Sequence, residues 1–167
     1  MSKRSDNMNN DLRINIFLDE TNTPFAPYFS SDDLHLSSDL EEFILSKLLN
    51  CRRREVDIFI KGENNYDDKS LKTAIVNTFS NRVEENEYIY GRNNMKAIVL
   101  YAFGIIIGLI GLSLSSRYAY FAGILSIVCW VFIWSGTEVY FFENRQIKSD
   151  IRKYQNIINA NVHKKYT

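Results

Sequence analysis

Two uncharged apolar runs, three residues apart, constrain this chain more than any other feature. Residues 97–114 read AIVLYAFGIIIGLIGLSL and residues 118–136 read YAYFAGILSIVCWVFIWSG, with only Ser115, Ser116 and Arg117 between them. At ~1.5 Å per residue each run is roughly 27 Å long as a helix, close to the ~30 Å hydrocarbon core of a bilayer. Burying both in a soluble core would take mass that 167 residues do not have. The expectation is a transmembrane helical hairpin over 95–142, with helices at about 97–114 and 118–138.

Residues 1–10 carry no apolar segment, so the first run reads as an uncleaved anchor. Positive charge sets its orientation. Arg92 and Lys96 precede the first run, Arg145, Lys148, Arg152 and Lys153 follow the second, and the turn carries Arg117 alone. Both termini are therefore expected in the cytoplasm, with the protein multi-pass in the inner membrane. Tyr118 and Tyr120 at one end, and Tyr140, Phe141 and Phe142 at the other, suit interfacial aromatic belts.

Small residues let helices approach closely in lipid, where no hydrophobic drive operates between them. The first run places Ala97, Tyr101, Gly104, Gly108, Gly111 and Ser115 on one face. The second places Ala119, Ala122, Ser126, Cys129, Ile133 and Gly136 on another. These faces are expected to meet within the hairpin; the open alternative is a homodimer through Gly104-x-x-x-Gly108. A different stripe, Trp130, Trp134 and Glu138, combines two indoles with an acid near membrane depth, where an ionisable group is costly. Antiparallel pairing about Ser116 puts Glu138 level with Asn93, Asn94 and Lys96, so an ion pair to Lys96 or a hydrogen bond to Asn94 is expected. The other reading leaves Glu138 hydrated at the boundary.

Before the hairpin the pattern reads β-β-α-β-α, a small α+β domain over 12–94 that follows a polar, disordered stretch at 1–11. Residues 13–18 (RINIFL) and 55–61 (EVDIFIK) alternate as strands, and 34–37 is a candidate short strand. Ser38 with Glu41 reads as a capping box opening a helix with Leu40, Phe43, Ile44 and Leu48 on one face. A second helix starts at Asp67 or Asp68 with Leu71, Ala74, Ile75, Thr78, Phe79, Arg82 and Val83 inward. It runs toward the membrane unless Gly91 and the Asn93–Asn94 pair break it. Residues 12–90 are expected to suffice as an isolated binding unit. After the hairpin, residues 143–167 form a basic amphipathic helix with Ile147, Ile151, Tyr154, Ile157 and Ile158 on one side, then a frayed end from 159.

Chemistry is sparse in the sequence. Two cysteines and two histidines exclude a Cys/His zinc scaffold, and there is no phosphate loop, H-E-x-x-H or G-x-S-x-G. No catalytic residue, metal or cofactor is implied. His35 reads as structural. Arg52, Arg53 and Arg54 after Cys51 are either charges suited to a helix C-terminus or an anion-binding site.

The stretch Trp130-x-x-x-Trp134-x-x-x-Glu138, followed by Phe141-Phe142-Glu143 and a basic Ile-containing helix, resembles uncharacterised bacterial two-transmembrane-helix proteins. These carry a small cytoplasmic α/β segment before the hairpin. The resemblance covers about 33–160 and implies no catalytic residues. The expected function is a membrane-anchored, non-enzymatic binding, sensing or scaffold module. The alternative is a membrane-perturbing effector of toxin or defence type, acting by assembly of the hairpin. Expected partners are the bilayer, anionic headgroups, a second copy and a cytoplasmic protein or ligand, with no nucleic acid. The zero net charge divides unevenly: 13 basic and 17 acidic residues up to 96, then six basic and three acidic after 136. Electrostatic docking of the basic tail on the acidic domain, weakened by salt, would follow.

Overall fold

A computed structural model describes residues 12–18, 23–30, 33–48, 56–61 and 66–165. It is a mixed α+β chain with a small three-stranded sheet and two apolar helices long enough to cross a membrane. The elements run β1 (Leu12–Phe17), α1 (Ser38–Leu48), β2 (Val56–Lys61), α2 (Asp68–Leu114), α3 (Ala119–Thr137), a π-helical segment (Glu138–Glu143), α4 (Asn144–Ile158) and β3 (Asn161–Lys165). Two compact units result. One comprises Met1–Val83 with Arg152–Thr167, and the other Glu84–Ile151.

In the first unit the sheet is wholly parallel, in the order β1-β2-β3. Strand alternation drives one face inward: Ile14 and Ile16 of β1, and Val56, Ile58 and Ile60 of β2, are buried. Against them pack Ile44 and Leu48 of α1, Leu71, Ala74, Ile75 and Phe79 of α2, and Ile157 and Ala160 from the C-terminal end. These α1 and α2 residues follow the 3.6-residue period of an amphipathic helix.

Several expectations change. The order is β-α-β-α before the hairpin, not β-β-α-β-α, because residues 34–37 form only an isolated antiparallel bridge, Phe25 to Leu36. Pro24 and Pro27 can donate no ladder bond, and the Leu36 N–H is given to Thr78 Oγ1 at 2.9 Å. Ser38 is already helical, and the Glu41 carboxylate accepts from Arg82 Nε at 2.7 Å rather than closing a capping box. Gly91 does not break α2: a helical glycine costs only about 1 kcal/mol, and the helix runs on from Asp68 to Leu114. The end expected to fray is β3, with Ile58 beside Val162 and Phe59 beside His163. The tail thus joins the sheet unit through strand pairing and the buried Ile157, and salt is expected to affect that joining little.

The second unit is the hairpin. Leu114 closes α2, and its carbonyl accepts from the N–H groups of Arg117 (3.1 Å) and Tyr118 (2.8 Å). The outer surfaces stay open: Phe103 is 53% exposed, Leu109 59%, Ile127 67% and Val131 55%.

Candidate functional site

The hairpin brings the two small-residue faces together. A Cβ on Gly104 would lie 2.8 Å from Ile133 Cδ1, on Gly108 3.1 Å from Cys129 Sγ, and on Gly111 3.4 Å from Leu125 Cβ. Gly136 lies under the Tyr101 ring, where a Cβ would be 3.2 Å away. The Tyr101 hydroxyl is 3.1 Å from Thr137 Oγ1. Toward the turn, Gly108, Gly111, Ser115, Ala122, Ser126 and Cys129 border an apolar groove of about 450 Å³. Ala119, at the start of α3, is exposed.

At the other end of the hairpin the polar pairing differs from expectation. Neither Glu138 nor Lys96 makes an ion pair among the described residues, and both are exposed. Asn93 Nδ2 instead donates to Glu143 Oε2 at 3.1 Å, and Asn144 Nδ2 donates to Asn94 Oδ1 at 2.7 Å. Asn93 and Asn144 are buried, and the Asn144 Oδ1 atom is buried without a partner. The hairpin closes about Tyr118 rather than Ser116, as the Tyr101–Gly136 and Gly108–Cys129 contacts require. That register sets Glu138 level with residue 99, about three residues from Lys96, and both side chains face outward.

The π-helical segment completes this arrangement. The Asn144 N–H bonds the Val139 carbonyl five residues back, and both residues are buried. In an α-helix, residues five apart point in different directions; the wider turn holds Val139 and Asn144 inward together. Beyond it, Lys148 Nζ sits 4.9 Å from the Tyr90 ring centroid. Hydrogen bonding to Lys148 first, then to Asn94, holds the Tyr90 phenol below its ordinary pKa.

Trp130 and Trp134 stack with centroids 6.4 Å apart and remain 66% and 57% exposed. With Glu138 they make an outward stripe that no residue of the hairpin covers. Arg52, Arg53 and Arg54 lie outside the described residues.

His35 acquires partners that the sequence did not indicate. Its Nε2 is 3.2 Å from Asp33 Oδ1, its Nδ1 3.5 Å from Thr78 Oγ1, and Phe29 lies against the ring at 4.1 Å. Thr78 Oγ1 accepts from Leu36 N–H, so its proton is available to Nδ1, leaving Nε2–H to donate to Asp33. These are the residue types of a nucleophilic relay, yet the Thr78 hydroxyl is buried against backbone and reaches no open surface. The cluster fastens residues 33–36 to α2. Replacing Thr78 with valine leaves the Leu36 N–H unpaired and is expected to cost about 1–3 kcal/mol in chemical denaturation.

The signal for the polar base was legible only as two polar doublets, Asn93–Asn94 and Glu143–Asn144, equidistant from the turn. No group of three potential metal-binding side chains occurs among the described residues. No known protein family, curated protein or solved structure matches the chain.

Proposed function

We propose that the chain is an integral protein of the inner membrane with both termini in the cytoplasm. Its sheet unit is a non-enzymatic binding, sensing or scaffold module for a cytoplasmic protein or ligand. The observation that carries this reading is the exposure of the apolar helices. Only 17% of the most apolar 18-residue window of α2 is buried, and 6% of that in the helix after the turn. A core helix of a soluble protein would be covered; exposed apolar surface on this scale needs lipid or another protein. Strand pairing supports both ends of the hairpin lying on one side, because the chain leaves from β2 and returns to pair with it through β3. The basic residues near both helix ends agree with it.

Membrane perturbation is the second reading, supported by the uncovered Trp130–Trp134–Glu138 stripe. One experiment separates them: expression of the full chain with a membrane-potential dye, beside accessibility labelling of cysteines placed at Ser116 and near the C-terminus. The module reading expects carbonate-resistant membrane association, labelling of Ser116→Cys from outside only, and an unchanged potential. Depolarisation relieved by Trp134→Ala or Glu138→Ala would favour the effector. Release of the chain by carbonate would overturn both.

A further inference from the structure

Among the described residues, helices cover one face of the parallel sheet and leave the other exposed or half-exposed, and the topology explains why. A strand order that steps 1-2-3 in one direction, with right-handed crossovers, lays each crossover on the same side. All-parallel sheets are otherwise covered on both faces. Here the buried residues of α1, α2 and α4 share one core with Ile14, Ile16, Val56, Ile58 and Ile60.

The residue register makes the open face a grid of three rows. Arg13, Asp57 and Asn161 form the first, Asn15, Phe59 and His163 the second, and Phe17 and Lys61 the third. Phe17 is 71% exposed. Phe59 stacks on His163 at 5.3 Å and has the Arg13 guanidinium 6.0 Å from its centroid. The Asp57 carboxylate lies 4.0 Å from His163 Nε2.

We propose that this face is self-complementary and is covered by the same face of a second copy, with the two sheets' strands antiparallel. The two-fold axis then runs across the strands through the middle row. Asp57 comes opposite Lys61 of the second copy, Arg13 opposite its Phe17, and Phe59 opposite its Phe59. Each unlike pair occurs twice, so two ion pairs and two cation–aromatic contacts surround an aromatic centre. An axis along the strands would instead set Asp57 on Asp57 and Lys61 on Lys61, which repels. Three strands at about 4.8 Å spacing give a narrow patch, below the ~800 Å² per partner of a stable complex, so the dimer is of the weak class.

Facing sheets lie about 10 Å apart, too far for a disulfide, so the test uses a short bismaleimide. Full-length protein in detergent, with Cys51 and Cys129 changed to serine, receives single cysteines. Asn15→Cys and His163→Cys sit on the axis and should cross-link to dimers, whereas Asp57→Cys should not. Asp57→Lys should lower the Asn15→Cys dimer yield about tenfold, and adding Lys61→Asp should restore it. Absence of cross-linking at both Asn15 and His163, in variants whose unfolding midpoints are unchanged, would overturn the proposal. So would cross-linking at Asp57 with Asn15 silent.

Discussion

Ile157→Ala is expected to destabilise the sheet unit by about 2–5 kcal/mol, the range for emptying a buried aliphatic site. Ile157 has no exposed surface and shares the core with Ile58 and Phe79, although it lies 99 residues after Ile58 in the chain. Truncation after Ile158 should go further, because it removes β3 and with it the strand beside β2. Ile147→Ala, at a half-exposed position, is the control and should stay within about 1 kcal/mol. Urea denaturation of the full chain, followed by amide exchange at β2, measures all three. A free tail would make every variant indistinguishable from the parent. The same geometry means that residues 12–90 alone lack β3, Ile157 and Ala160, so binding studies need the full chain.

The second large effect concerns the glycines of the hairpin. Gly104→Leu should separate α2 from α3, since even a Cβ would sit 2.8 Å from Ile133 Cδ1, and leucine adds three further carbons. Overpacking of this kind costs about 1–3 kcal/mol, and more where backbone must part. Gly123→Leu is the contrast: nothing lies within 4 Å of its Cβ, and a better helix former replaces glycine at a gain of up to ~1 kcal/mol. Cross-linking between cysteines at Gly108 and the native Cys129 reports the separation in detergent. Equal cross-linking in both backgrounds would remove the close-packed hairpin from consideration.

Local regularities were readable in advance wherever the physics is local. The 3.6-residue period of Leu71, Ala74, Ile75, Thr78 and Phe79 marked the inner face of α2, and the alternation of Val56, Ile58 and Ile60 marked β2. The glycines on one face of the first run marked the surface that meets α3. The pairing of Glu138 with Lys96 failed because levels along the hairpin do not fix which way a side chain turns, and both of these are exposed. The π-helical turn left no pattern that periodicity detects, since one wider turn alters the phase of everything after it. His35 looked solitary because Thr78 lies 43 residues away.

The sequence by itself determined that two apolar helices of bilayer length lie back to back, for charge and hydropathy are properties of the residues alone. It also determined most of the residues of α1, α2 and β2 that turn inward, although Phe43 and Arg82, expected among them, are exposed. Only the tertiary structure decided that NVHKK is a strand, that the sheet is parallel, and that the chain on both sides of the hairpin builds one core. A parallel strand takes its hydrogen bonds from a partner a long crossover away. A short polar segment such as NVHKK therefore carries no sign of its role until β2 is beside it.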